Sequence, residues 1–398
     1  MGGYIAFYYS TLFEFKVKKK KILVFIDWFF PGYRAGGPIQ SCTNLIEHLK
    51  DEFEFLVVTR DTDYMEDIPY LNVKSDSWNI LSNGIRVYYI SKEKLSSKTI
   101  RVVLSEEKFD VVYLNGIYSI YFTLFPLYYL RRKSDTQVVV AVRGMLALSA
   151  LGVKQTKKKI FLSVAKAIKL FKNVVFHATN EQEEIDIRRN IGQKVNVKLA
   201  PNLWRKDIAS EWKQRKKNKQ AVQLISVARI SPEKNTKYAI EVLSKTKGRV
   251  EFDLYGPVYN KEYWEECKVI IKALPSNASV NYKGSLQTEN VLKTLSDYHF
   301  LFIPTRGENF GHAILQAMSV GVPVIISDQT MWRNLEKHIA GWDIPLSAEK
   351  DFISVIEKCI NMSQEEYDIL SKGAFNFSKS FVNNKNIIEQ NRQLFVKS

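Results

Sequence analysis

Glu308 is the acid around which a reaction centre can be assembled in this sequence. It lies in PTRGENFGHAILQAMSVGVPVII, residues 304 to 326. An apolar run ends there at Pro304, a loop with Gly307 and Gly311 follows, and a helix is expected from about His312 until Gly321 and Pro323 open the next strand. Glycines let backbone N–H groups come close to a ligand, and a helix N-terminus favours an anionic one. An ordinary strand-to-helix turn capped by Glu308 has the same local signature. Two cations stand elsewhere in similar surroundings: SVARISPEKN, residues 226 to 235, sets Arg229 and Lys234 on a loop between a strand and a helix. Arg offers a fixed fork and Lys a mobile point charge, a pair suited to a diphosphate. Taken alone, the spacing reads equally as a solvated basic loop. A third segment, PGYRAGGPIQS at 31 to 41, puts Gly36 and Gly37 before Pro38, which fits the first turn of a helix running to Leu49.

Alternating elements must position these loops. From Lys21 onward short β-rich runs alternate with helical segments, the pattern of a parallel sheet covered by helices. The first series is ILVFID (22 to 27), FLVVT (55 to 59), IRVYYI (85 to 90), DVVYL (110 to 114), QVVVAV (137 to 142), NVVFHA (173 to 178) and VNVKL (195 to 199). A polar, basic stretch, WRKDIASEWKQRKKNKQ at 204 to 220, suits a linker. The second series is QLISVA (223 to 228), VEFDLYG (250 to 256), SVNYKG (279 to 284), HFLFIP (299 to 304), VPVIIS (322 to 327) and GWDIP (341 to 345), with three helices after Ser347. The expected architecture is α/β, two doubly wound domains whose ligand cleft lies between the carboxyl ends of their strands.

Size and charge bound the alternatives. A chain of 398 residues exceeds what one core usually organises. The 58 Lys and Arg against 42 Asp and Glu give a formal charge of +16, which favours nucleic acid, anionic lipid or phosphorylated substrates without choosing among them. Cys42, Cys267 and Cys359 have neither zinc-site nor disulfide-framework spacing, so a reducing cytoplasm is expected. The apolar stretch from Tyr4 to Phe15 is too short to span a bilayer and precedes its lysines, unlike a signal peptide.

The motifs resemble those of glycosyltransferase family 4, retaining enzymes of the GT-B fold among the glycosyl transferases group 1. Glu308 and Gln316 occupy the two positions of that family's Glu-x7-Glu signature, flanked by GENFGHAI and AMSVGVPVI. The resemblance implies a nucleotide-diphosphate sugar as donor. Glu308 would lie beside the transferred sugar, and the loop of Asn309, Phe310, Gly311 and His312 would meet the sugar and diphosphate. Residue 316 would hold the ribose hydroxyls, while Arg229 and Lys234 would neutralise the leaving diphosphate without a metal ion or other cofactor. Gly36 and Gly37 would form the glycine-rich loop of the acceptor-side domain that approaches the donor and acceptor, and Gly256 and Gly284, in YGP and YKGSL, would approach the nucleotide. Two departures stand out: an amide at Gln316 in place of the second acid, and Arg143-Gly144 where many relatives carry a histidine. His177 reads as a core-edge histidine, and Thr179 or Asn180 as a helix cap.

The resemblance covers nearly the whole chain from Lys21, with its specific motifs at 226 to 235 and 304 to 326. It implies an acceptor-side domain at 1–203, a donor domain at 204–380, and a last helix at 381–398 returning to the first domain through Ile387, Ile388, Phe395 and Val396. The implied acceptor is a glycan or a polyprenyl-linked glycolipid of the kind used in bacterial surface polysaccharide synthesis. In KQTKKKIFLSVAKAIKLFKN, 154 to 173, the residues Ile160, Phe161, Val164, Ile168 and Phe171 gather largely on one helical side among lysines, which suits an anionic membrane surface as well as a packed core. A cytoplasmic protein, peripheral to the inner face of the cell membrane, is the corresponding expectation. Two rivals are a basic binding protein on a degenerate fold and a nucleotide-sugar epimerase. No nucleic-acid motif accompanies the charge, so no nucleic-acid partner is expected.

Overall fold

Strands built from near-continuous aliphatic runs can be buried on both faces, and that is how this chain uses them. The structure is a computed structural model and describes residues 19–131, 133, 135–147, 155–209 and 211–396; the stretch from Tyr4 to Phe15 lies outside them. The first sheet contains β1 (Lys20–Phe25), β2 (Phe53–Arg60), β3 (Ser77–Ile80), β4 (Arg86–Ile90), β5 (Val111–Asn115), β6 (Gln137–Ala141), β7 (Val174–Ala178) and β8 (Asn196–Leu199), in the order β3-β4-β2-β1-β5-β6-β7-β8. All pairs are parallel except β3 with β4. The second holds β9 (Ala221–Val227), β10 (Arg249–Tyr255), β11 (Ala278–Tyr282), β12 (Phe300–Ile303), β13 (Val324–Ser327) and β14 (Gly341–Ile344), parallel throughout and ordered β11-β10-β9-β12-β13-β14. In each sheet the chain leaves the first strand to one side and later returns to its other side, so β1/β5 and β9/β12 are the switch points where a crevice opens.

Alternation along the strands assigns the helices. Ile22 and Val24 face α1 (Gly37–Leu49), whereas Leu23 and Phe25 face α2 (Ser97–Glu106), the π-turn Ile120–Leu124 with α3 (Phe125–Leu130), α4 (Gln155–Ala167) and α5 (Glu181–Asn190). The second sheet carries α6 (Thr236–Leu243), α7 (Lys261–Lys272), α8 (Val291–Leu295), α9 (His312–Ser319), α10 (Glu349–Asn361), α11 (Gln364–Val382) and finally α12 (Lys385–Gln393). After α12 the chain returns to the first sheet. Phe395 meets Phe53, Phe55 and Tyr113 with ring centroids 5.4 to 5.8 Å apart, Ile387 and Leu394 are buried beside it, and Arg392 pairs with Glu52.

Three details differ from the sequence reading. Strand β3 was not expected: SWNI is only four residues long, none of them buried, and it pairs with β4 alone at the sheet edge. The described residues of the basic stretch before β9 form neither helix nor strand, yet two of its cations are anchored in the second domain. Arg215 donates to the carbonyls of Ser296 and Gly321 at 2.6 and 2.8 Å, and buried Lys217 donates to those of Asn218 and Ala221. The apolar residues of α4 and its extension split: Phe171 is buried against Phe176 and Phe161 packs edge-on to Tyr118, while Ile160, Val164 and Ile168 stay 60%, 53% and 50% exposed.

Candidate active site

The loops after β9 and β12 meet at the second switch point, and they bring the three chemistry-bearing residues together. Lys234 Nζ is paired directly with Glu308 Oε2. Burial would push the Glu308 carboxyl up, but Lys234, with Arg229 behind it, prevails and holds it below the usual carboxylate range. Arg229 lies 4.7 Å from the centre of the Tyr259 ring. The Glu308 loop is fixed by its own backbone: Arg306 N–H donates to Glu233 O and Glu308 N–H to Gln329 O, at 2.8 and 3.0 Å. Gly311, at φ 77°, is the residue before the first turn of α9. A side chain at that position would press on Ile314 and on Glu308 itself.

The remaining expected residues, Gln316 apart, fall into two groups. Gly36, at φ 71°, and Gly37 stand at the N-terminus of α1 with open space where a β-carbon would be, and Gly284, just after β11, has the same open space. Their backbones are accessible to a ligand. His312, Asn309, Phe310 and Gly256 serve the frame. His312 Nε2 is 2.8 Å from Ser41 Oγ of α1, across the cleft. Burial drives its imidazole down to about 3, against the pull of Glu308 and with the push of Arg143, so it is neutral. Asn309 accepts from Thr179 and Asn180, and Gly144 packs on its β-carbon. The Phe310 side chain turns into an aromatic cluster with Trp332 and Phe381, and the Trp332 indole takes its carbonyl at 2.6 Å. Gly256 is a glycine because a β-carbon there would lie 2.0 Å from Ala228 O. Gln316, on α9, is 4% exposed, and its Nε2 has no hydrogen-bond partner.

Several contributors were not legible in the sequence as site residues. Arg143 donates to Asn115 Oδ1 and Tyr113 OH at 2.7 and 2.8 Å and also to Asn202; Tyr113 OH in turn donates to His177 Nδ1, whose Nε2–H meets Ala200 O. Burial first, then Arg143, lowers His177 to about 3. His177 is thus a neutral link in a network that fixes Arg143. Asn180 caps α5, as expected, but it also reaches Asn309 in the other domain, and buried Glu183 orders Thr179 and the Gly144 N–H. A stacked pair, Tyr64 on Tyr259 at 4.8 Å, closes one side of the cleft. Among the described residues no three His, Cys, Asp or Glu side chains gather to hold a metal ion.

Residues 207–377 match the family model described as glycosyl transferases group 1. No curated protein sequence matched the chain. Among solved structures, the sucrose-phosphate synthase of Thermosynechococcus elongatus superposes with a TM-score of 0.69 at 16% identity, over 95% of this chain and 98% of that one. HepE of Anabaena, solved with UDP and glucose, gives 0.71 at 16% over 94% and 98%. TarM of S. aureus gives 0.67 at 14% over 95% and 100%. The stretch with Arg229, Lys234, Glu308 and Gln316 therefore lies within the part of the chain that matches the glycosyl transferases group 1 model, set in a two-domain GT-B fold that extends over nearly the whole chain.

Proposed function

We propose that this chain transfers a sugar from a nucleoside diphosphate donor to a glycan or lipid-linked acceptor, with retention at the anomeric carbon and without a metal ion. The observation that carries the reading is the contact of Lys234 with Glu308, with Arg229 close enough to help hold that carboxyl ionised. In this reaction the C1–O bond to the β-phosphate breaks, a C1–O bond to the acceptor forms on the same face, and the acceptor proton passes to the departing phosphate oxygen. Arg229, Lys234 and the amides at the start of α9 stabilise charge on the leaving diphosphate, and Glu308 offsets positive charge at the sugar ring. Gln316 offers its unpaired N–H to a ribose oxygen. HepE, of the same fold, was solved with UDP and glucose, which makes uridine donors the first to test. The test incubates the purified chain with UDP-, GDP- and ADP-sugars and follows nucleotide release and product configuration by NMR. Release from at least one donor is expected, with a retained anomer; an inverted product, or no nucleotide bound or turned over, overturns the reading.

A second part of the proposal concerns place. Ile160, Val164 and Ile168 recur every fourth residue on an exposed face of α4 and its extension, flanked by exposed Lys166, Lys169 and Lys172. No helix among the described residues is long and apolar enough to cross a membrane. Surface attachment to anionic lipid at the inner face of the cell membrane fits this stripe. Sedimentation with phosphatidylserine vesicles, lost on phosphatidylcholine or in high salt, is the expected outcome. Binding indifferent to lipid charge sinks it.

A further inference from the structure

A pocket of about 300 Å³ opens at the amino ends of β6, β7 and β8, at the opposite edge of the first sheet from the cleft. A strand rises about 3.3 Å per residue, so roughly 15 Å of β6 and its continuation separates Val138, on the pocket wall, from Arg143. The floor is aliphatic, with Leu130, Leu170 and Val174 all buried. The rim carries the exposed Arg131 and Lys133, after α3, and Lys172, after α4, together with Asn173 and Asn196. Sites for small molecules begin at about this size.

The rim is charged in one sense only. No Asp or Glu among the described residues lines the pocket, and Asp135, in the loop leading into β6, pairs with Lys108 at 3.9 Å. Arg131 and Lys133 rest on the rings of Tyr128 and Tyr129, 4.0 and 4.7 Å from their centres, which holds both cations in place without neutralising them. Like charges gathered around one small pocket repel one another, and an anion among them relieves that repulsion.

We propose that this pocket binds a phosphate ester, its phosphate clamped by Arg131, Lys133 and Lys172 and its carbon skeleton laid on the aliphatic floor. The anionic oxygens accept from the Arg fork, from the two ammonium groups and from the side-chain amides of Asn173 and Asn196, all of them donors. Bare phosphate would leave the floor uncovered. Leu170 and Lys172 follow closely on Ile168, the last of the three exposed apolar residues of α4 and its extension, so the ester is either a soluble metabolite or the headgroup of a phospholipid. None of these residues belongs to the catalytic cleft, and the site stands whether or not the chain transfers a sugar.

The test uses the full chain and two kinds of ligand. Glycerol 3-phosphate and glucose 6-phosphate are titrated by calorimetry at low salt, and vesicles of phosphatidylglycerol or of phosphatidylcholine are sedimented with the protein. The same measurements are made on Arg131→Ala and Lys172→Ala, which change the pocket from its two sides, and on Lys166→Ala, which removes an exposed lysine of α4 outside it. Melting temperature reports that the variants are folded. Binding is expected to weaken about tenfold in each pocket variant and to stay unchanged in Lys166→Ala. That pattern with a soluble ester identifies a metabolite, and the same pattern with phosphatidylglycerol vesicles alone identifies a lipid headgroup. Binding of neither ester and neither vesicle overturns the site, as does affinity indifferent to all three substitutions. Vesicle binding weakened equally by Lys166→Ala and the pocket variants, with no ester bound, also overturns it and leaves only the diffuse surface attachment.

Discussion

Arg229 and Lys234 differ in what surrounds them, and their substitutions should differ accordingly. Lys234 is committed to Glu308, so Lys234→Ala leaves a partly buried carboxylate without its partner as well as a leaving group without a cation. Arg229→Ala removes a charge that rests on an aromatic face. Each should lower kcat/KM by about a hundredfold or more, with Lys234→Ala also lowering the melting temperature. Activity of the unaltered chain should persist in EDTA. Near wild-type turnover in either variant, or activity lost on chelation and restored by magnesium, would contradict the clamp. At Gln316 the buried unpaired Nε2 makes a sharper case: a ribose oxygen would satisfy it. Gln316→Glu gains charge assistance from both ribose hydroxyls and should tighten nucleotide binding by about 1 kcal/mol, and Gln316→Ala should weaken it. Equal affinities in calorimetric titrations of the three proteins would remove the ribose from this position.

Elements were more legible than contacts. Runs such as VVYL and VIIS are buried on both faces, and such runs announce themselves in sequence; SWNI, pairing on one side only, does not. The GENFG loop was legible because glycine at a helix start leaves a local mark. The grip of Thr179 and Asn180 on Asn309 was not, since it joins residues about 130 positions apart with no local pattern. Gly256 carries a constraint with no local mark either: a β-carbon there would collide with a neighbouring carbonyl. The returning helix was readable from its four apolar residues, although Val396 stays partly exposed and Leu394, not singled out, is fully buried. Its weight can be measured. Phe395→Ala deletes a ring packed on Phe53, Phe55 and Tyr113 and should cost about 3–5 kcal/mol in urea unfolding. A loss under about 1 kcal/mol would mean that the first domain stands without it.

At the scale of the molecule, two buried imidazoles tie stability to pH. His177 and His312 fall to about 3 in the folded chain from an ordinary value of 6.5. Between those values the unfolded chain binds more protons, so stability is full above pH 6.5 and declines as pH falls toward 3. The slope is about 1.4 kcal/mol per pH unit for each histidine. Glu308 adds a later loss, since its contribution is present above 4.5 and disappears as pH drops through its lower folded value. Because His312 also bridges the domains to Ser41, acid should open the cleft before it unfolds the sheets. Urea midpoints at pH 7.5, 6 and 5 check the slope, and a constant midpoint would exclude it.

The path of the last helix also sets an order of events during translation. The strands of the first sheet leave the ribosome early, but the residues that cover Phe53 and Phe55 are made only after the whole of the second sheet. The nascent first domain must therefore wait with an apolar face open while its successor completes its own core. Domains usually fold as units in the order of synthesis, but here the first cannot close until the second is finished. Slowing elongation within the second domain would prolong that exposed interval. Holdase chaperones should accordingly be captured on stalled chains that end before Ile387 and released from those that extend past Phe395.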